Sequence, residues 1–388
     1  MKKYSENILT SSTRRDFIKK VLVAGCAVSA VPGYIKAADK PGNSKAIALK
    51  MAGYNLDRVT ALVDGRVDVA GCDVTFEVAG IGDMNTDVFS GKQTRDVTEI
   101  GLHPYMLAYA NEGFRDYSLI PVFPIRVFRH KSIFVNVKSD IKKPGDLRGR
   151  KVATPGFSST SLTWLRGIVQ HEYGVRPEEI EWVVSSKDSS AGIAGKVSKQ
   201  ESLIPEGLKV TKGPEGKDES DLLVDGHVDA LFHAAEPRAF VQGHPDVARL
   251  FSDYRQTERD YYKKTGIFPI MHAVAIRNSL AEKHPWLPEA VFNAYSQAKQ
   301  VMYTDLRKMG WATISLPWAA KELEETRALM GDNFWPYGVK ANRKALETLF
   351  QYSYEQGLSS KKLKIEDVFH PSTLNFTDIN STGQSGSK

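Results

Sequence analysis

The chain has 388 residues, 41% hydrophobic and 25% charged, with 30 Gly, 18 Pro and only 2 Cys. That length and balance supply a core large enough for two lobes and exclude collagen-like, disordered and disulfide-scaffold classes. The formal charge of +6 is concentrated at the start: residues 1–38 carry a net +5, which leaves +1 for the rest, too little surplus for a nucleic-acid partner.

Thr13-Arg14-Arg15-Asp16-Phe17-Ile18-Lys19 precedes an apolar run from Val21 to Ala30. Paired arginines, an aromatic two places on and then a lysine have the form of a twin-arginine export signal, with small residues at Ala37 and Ala38 for cleavage. Residues 1–38 are therefore expected to be an export signal, with the twin-arginine translocase as a transient partner and the mature chain periplasmic. Val23-Ala24-Gly25-Cys26 also fits a lipoprotein box that would acylate Cys26, although the apolar run before it is short. Removal of the leader beyond Cys26 leaves Cys72 alone, so neither an internal disulfide nor a cysteine metal cluster can form.

Along the mature chain, Ala46–Met51 reads as a strand, Val59–Val63 as a short helical run and Gly71–Val78 as a second, alternating strand. Val97–Leu102 is a third strand, followed by His103-Pro104-Tyr105 and a helix through Asn111. Ser132–Val137 is β-branched and extended, and the breaker-rich Lys142–Gly149 leads into a strand at Lys151–Ala153. A helix over Leu162–Tyr173 and strands at Ile180–Val184 and Leu208–Thr211 come next. A helix from about Ser220 to Gly226 and a buried strand Val228–Phe232 follow, while 185–207 is a polar excursion. Ile267–Ile276 returns as a strand, and helices cover Pro288–Lys308, Ala319–Met330 and Ala341–Gln356.

Strands separated by helical crossovers predict an α/β protein. The expected plan is 39–135 with 268–375 as a discontinuous first lobe, 136–267 as a second lobe, and 376–388 as a disordered tail. Two crossing strands would join the lobes, and a ligand would sit in the cleft between them.

Several blocks resemble the 4,5-dihydroxyphthalate decarboxylase family. They are Ile120-Pro121-Val122-Phe123-Pro124, Arg126 with Phe128-Arg129-His130, Asp146-Leu147-Arg148-Gly149, and Arg166-Gly167 with His171-Glu172-Tyr173-Gly174-Val175. Thr265–His272 and the C-terminal Met330-Gly331-Asp332, Phe334–Gly338 and Asn342-Arg343 are similar too. The resemblance runs over about residues 50 to 370. It implies an α/β, bilobal, type II periplasmic-binding-protein-like fold and nonoxidative loss of CO2 from an aromatic dicarboxylate.

Removing CO2 from a phenolic ring requires protonating the carbon that bears the carboxylate while a ring hydroxyl donates electron density. Histidine suits the proton transfers, and arginine suits a carboxylate that stays on the ring. If the backbone is extended, Arg126 and His130 share a face while Arg129 points away, which makes Arg126 the expected anchor and His130 the expected proton-transfer group, with Arg129 a further substrate-binding candidate. Gly156–Ser161 precedes a helix, so Ser158, Ser159 and Thr160 form an expected anion site; the alternative is simple capping. His233, Glu236 and Arg238 follow a buried strand, where His233 or Glu236 could act as a second acid/base group, or Glu236 and Arg238 could simply pair. His272 is either a core histidine or catalytic, and His103 and Tyr105 are expected at the cleft.

No cofactor is required by the sequence. A divalent metal on some of His103, His130, His233, His272 and Glu236 stays open, since no short ligand pair occurs. The competing reading is an exported receptor that delivers a small organic anion to a transporter permease; fold alone does not separate the two.

Overall fold

The apolar, β-branched runs extend as their composition predicts and gather into two sheets. The computed structural model describes residues 46–189, 199–311 and 313–378, so the leader, its cleavage site and Cys26 lie outside the described residues. The first four strands are β1 (Ile47–Gly53), β2 (Cys72–Val78), β3 (Val97–Gly101) and β4 (Tyr117–Ile120). Six more, β5 (Ile133–Asn136), β6 (Lys151–Thr154), β7 (Glu181–Val184), β8 (Lys209–Lys212), β9 (Ala230–Phe232) and β10 (Val247–Arg249), make the second sheet. β11 (His272–Arg277) then returns to the first.

The first sheet has the order β2-β1-β3-β11-β4, with β1 parallel to β2 and β3 and β11 antiparallel to both its neighbours. The second has the order β10-β5-β9-β6-β7-β8, with β6 parallel to β7 and β9. These are the two α/β lobes of the expected bilobal, type II periplasmic-binding-protein-like fold. Two chain segments cross between them and touch: Arg126 and Ile270 form an antiparallel bridge, and the Val127 and Met271 amides donate to Pro269 and Ile125 carbonyls at 3.1 and 2.9 Å. The strand expected over 267–276 thus divides. Its first part is a crossing segment, and sheet pairing starts at His272, because Pro269 has no amide to give a central ladder.

Burial follows the period of two. In β5, Ile133 and Val135 face one core while Phe134 faces another; Val152 and Ala153, Trp182 and Val183, and Ala230 and Leu231 split the same way. The second sheet is therefore covered on both faces, as parallel strands require. Helices that matter below are α1 (Leu102–Asn111), α2 (Thr160–Tyr173), α3 (Tyr254–Thr265), α4 (Leu287–Leu306), α5 (Ala319–Met330) and α6 (Val339–Glu355). Ser159 Oγ caps α2 by accepting from the Leu162 amide, and Gly174 at φ 70° ends it. Gly167 lets α2 lie against α6: a Cβ there would fall 2.0 Å from the Tyr352 ring.

Two segments differ from the sequence reading. α3 was not legible, since Tyr254–Thr265 is mostly polar and buries only Glu258 and Tyr261. The start of the expected disordered tail is packed: Phe376 meets Phe292, and buried Asp378 accepts from Lys299 and from the Tyr337 amide at 2.9 Å. A buried ammonium needs a counter-charge, and that need orders these residues. Among the described residues, no helix is long and apolar enough to cross a membrane.

Candidate active site

Parallel strands put their C-terminal ends, and the loops that leave them, on one edge of a sheet. In the first lobe that edge holds Tyr54 after β1, Gly101 at the end of β3 and His272 at the start of antiparallel β11, paired with Gly101. In the second it holds 155–159 after β6, 185–189 after β7 and 233–236 after β9. The edges face each other. The His103 amide at the start of α1 donates to Thr160 Oγ1 at the start of α2 (3.0 Å), and His103 Nδ1 lies 2.6 Å from the Ser158 carbonyl.

The first-lobe edge carries a carboxylate–imidazole pair. Glu99, 1% exposed, places Oε1 2.6 Å from His272 Nδ1 and accepts the Tyr54 amide on Oε2 at 3.1 Å. Tyr54 stacks on the imidazole, with centroids 6.1 Å apart and planes inclined by 21°. Gly53 leaves room for this: a Cβ there would stand 3.3 Å from Glu99 Oε2. His272 is 15% exposed, and among the described residues its Nε2 has no partner. Glu99 accepts the Nδ1 proton and so orients the ring with Nε2 at the edge, where it can give or take a proton.

The crossing segments bring a cation to this place. Arg129 is buried, donates Nη1 to the Ala234 carbonyl (2.7 Å) and points Nη2 at Met271 Sδ (2.8 Å), next to His272. Among the described residues it has no salt bridge, its Nε is unpartnered, and burial pulls its pKa down to about 10. Buried Glu258 exerts an opposing charge on it without forming an ion pair, so the guanidinium keeps the capacity to receive an anion. Ser161 Oγ also reaches Met271 Sδ, at 3.4 Å. In the first turn of α2 the Leu162 amide is capped by Ser159 Oγ and the Thr163 amide bonds the Ser159 carbonyl. That leaves the Thr160 and Ser161 amides for a ligand.

Other expected site residues lie elsewhere or are already engaged. The assumed extended backbone at 126–130 fails at Arg129, whose φ −118° and ψ −2° turn the chain into a 3-10 helix. Arg126 therefore points away from Arg129, to the Pro336 carbonyl at 3.1 Å and to Asn342 Oδ1. His130 sits in a box of Tyr173, Phe251 and Tyr261, with neither ring nitrogen partnered among the described residues and its pKa pushed down to about 4 by burial. His103 is a buried clasp between helices; its Nε2 lies 2.8 Å from Ser353 Oγ, and burial pushes its pKa down to about 4. Tyr105 is a core residue whose hydroxyl donates to the Tyr117 carbonyl at 2.8 Å. Ser158 Oγ donates to the Leu203 carbonyl at 3.1 Å. Glu236 pairs with Arg249, and Arg238 with Asp218 and Asp221, rather than with each other.

The histidines considered for a metal do not share partners. What gathers instead is Asp188, Glu219 and His233, whose ligand atoms lie within 4.8 Å of one another. Both carboxylates reach His233 Nε2 at 3.1 Å, and Nδ1 lies 2.9 Å from the Ala235 carbonyl. Burial alone would lower the imidazole pKa, but the bonds to Asp188 and Glu219 outweigh it and raise it to about 10. The trio thus holds a proton at neutral pH, and its donors are also of a kind that takes a divalent cation. The sequence reading missed Glu99 and Glu219; the signal for Glu99 was a lone acid inside the apolar run Val97–Leu102.

A protein of Comamonas testosteroni named 4,5-dihydroxyphthalate decarboxylase is 34% identical over 330 residues, 84% of this chain and 98% of that one. The chain belongs to the 4,5-dihydroxyphthalate decarboxylase family. Residues 125–199 also match the family described as NMT1/THI5 like. Among solved structures, a mutant of DSZB in complex with biphenyl-2-sulfinic acid superposes with a TM-score of 0.50 at 16% identity, over 85% of this chain and 98% of that one. The periplasmic aliphatic sulphonate binding protein SsuA from Escherichia coli gives 0.48 at 17% identity, over 84% and 99%. At such identities the likeness to DSZB speaks for the fold alone. For a decarboxylase-family chain, the pair at Glu99 and His272 and the unpaired Arg129 are the groups to explain.

Proposed function

We propose that this chain is a carboxy-lyase that removes CO2 from 4,5-dihydroxyphthalate or a closely similar hydroxylated aromatic dicarboxylate in the interlobe cleft. The observation that carries the reading is the buried Glu99–His272 pair with a free Nε2 at the strand ends, in a chain whose relative bears that name. Arg129 and the first turn of α2 hold the carboxylate that remains on the ring. His272, protonated on Nε2, gives its proton to the ring carbon that bears the other carboxylate, assisted by electron donation from the hydroxyl para to it. The bond to the carboxylate then breaks, its electron pair restores the aromatic ring, and CO2 leaves. A proton from water restores His272, and 4,5-dihydroxyphthalate becomes 3,4-dihydroxybenzoate. The ring hydroxyl supplies the electrons, so the proposed chemistry calls for no cofactor. The leaving carboxylate is best left without a strong cationic clamp, which would stabilise the ground state.

The paired arginines at 14 and 15, Phe17 and Lys19 support export through the twin-arginine route to the periplasm. The experiment incubates purified protein with 4,5-dihydroxyphthalate, follows CO2 release and product by chromatography, and monitors tryptophan fluorescence for binding. Release by the natural chain and its loss in His272→Asn support the reading. Saturable binding without release would instead favour a receptor for organic anions.

A further inference from the structure

Outside the groups assigned to the reaction, three chelating side chains meet at the second-lobe edge. Asp188 comes from the loop after β7, His233 from the loop after β9, and Glu219 from the start of the short helix Glu219–Val224. Glu219 and His233 are buried, whereas Asp188 keeps 21% of its side chain exposed. Asp188 Oδ1 and Glu219 Oε1 each lie 3.1 Å from His233 Nε2, and all three ligand atoms lie within 4.8 Å of one another. The other bonds to Glu219 come from Ser185 Oγ at 3.4 Å, the Ser189 amide at 3.2 Å and Ser189 Oγ, none of them charged.

We propose that this trio is a binding site for one first-row divalent cation, of which zinc or manganese fits the donors best. An imidazole with two carboxylates is a donor set for such ions, whereas magnesium and calcium prefer oxygen alone. An ion bonded at about 2.1 Å holds neighbouring donors about 3.0–3.4 Å apart, in octahedral or tetrahedral geometry, and both separations from Nε2 fall inside that span. A ligating histidine is oriented by a hydrogen bond from its other ring nitrogen, and Nδ1 of His233 has such a partner in the Ala235 carbonyl at 2.9 Å.

Charge agrees with geometry. Within the trio two carboxylates outnumber the imidazolium, and a net charge in a buried place is costly. A divalent ion with a neutral imidazole brings the same three groups to zero, the ion replacing the proton that Nε2 carries in the ion-free chain. Three protein donors leave a position for water or another oxygen ligand, and partly exposed Asp188 gives the ion access. The ion would join the loops after β7 and β9. Ala234, beside His233, accepts from Arg129 Nη1 at 2.7 Å, so the ion also steadies the carbonyl that orients this guanidinium.

Isothermal titration of the chelator-treated full chain with zinc chloride at neutral pH tests this. The expected result is one equivalent bound with a micromolar or lower dissociation constant. Asp188→Asn and Glu219→Gln should each weaken binding by more than roughly 10-fold, the least that even an outer partner of a metal site costs. His171→Gln, at the exposed His171–Glu355 pair, should leave it unchanged. Saturating zinc should raise the thermal midpoint of the natural chain and of His171→Gln, and not that of Asp188→Asn; an ion-free melt checks that each variant folds. A natural chain that binds no zinc, or an equivalent that survives at full affinity in either trio variant, overturns the proposal and leaves the trio a salt-bridged imidazolium.

Discussion

Replacing Glu99 by Gln keeps the side-chain volume and removes its charge. The natural carboxylate does two things at once, taking the Tyr54 amide on one oxygen and facing His272 Nδ1 at 2.6 Å with the other. A glutamine has one carbonyl oxygen for both tasks, and its amide group repels the Nδ1 proton. It also carries no charge to support the imidazolium that delivers the proton. A hydrogen bond to a charged group is worth about 1.5–3 kcal/mol, and each 1.36 kcal/mol is tenfold in rate, so kcat should fall roughly 10- to 100-fold. Arg129 and the start of α2, which hold the substrate, are untouched, so KM should move less than about threefold. Steady-state CO2 release from 4,5-dihydroxyphthalate measures both constants, and thermal unfolding checks that Glu99→Gln folds. Glu99→Asp, which keeps the charge but shortens the reach, should lie between the two. Wild-type kcat in Glu99→Gln, or a loss confined to KM, would refute the reasoning.

The remaining expectations concern anchoring, the aromatic box, pH and packing. Arg129→Lys loses the planar fork and should raise KM about 10-fold or more with a smaller change in kcat; an unchanged KM places the anion elsewhere. His130→Phe fills the box of Tyr173, Phe251 and Tyr261 without a buried, unpartnered polar ring, so thermal stability should rise by about 1 kcal/mol with turnover kept. Loss of turnover in that soluble, stable variant would return proton transfer to His130. The His233 trio is protonated in the folded chain up to about pH 10, whereas a free imidazole releases its proton near 6.5. Its stabilisation is therefore complete below pH 6.5 and drains away between 6.5 and 10; the thermal midpoint should fall across that window, and His233→Gln should flatten the slope. Gly167→Ala drives a methyl into the Tyr352 ring and should cost about 1–3 kcal/mol of stability, read from chemical denaturation.

Much of the fold could be read from apolar patterning: Gly71–Val78 alternates, whereas Ser132–Val137 and Val228–Phe232 are mostly apolar runs buried on both faces, and all three contain observed strands. α3 escaped because ion pairs and two buried residues hold it, and pattern reading sees only apolar faces. The site was legible by residue type rather than by partner. His272 and Arg129 could be named as candidates, but the choice between Arg126 and Arg129 turned on one pair of backbone angles at residue 129. Glu99 lies 173 positions from the imidazole it holds, and nothing local announces that contact. Tyr105 and His103 stand beside a proline after a strand, which suggested a functional loop; instead α1 starts there and both are consumed by packing.

Lys299 and Asp378 have a consequence for how the first lobe comes together. The ammonium lies in the core, bonded also to the Trp335 carbonyl at 2.8 Å, and burial brings its pKa down to about 8. Its negative partner arrives 79 residues later in the chain. Without Asp378 the ammonium would keep only the Asn333 and Trp335 oxygens, neither of them charged, so a chain cut before residue 378 is expected to hold its first lobe less firmly.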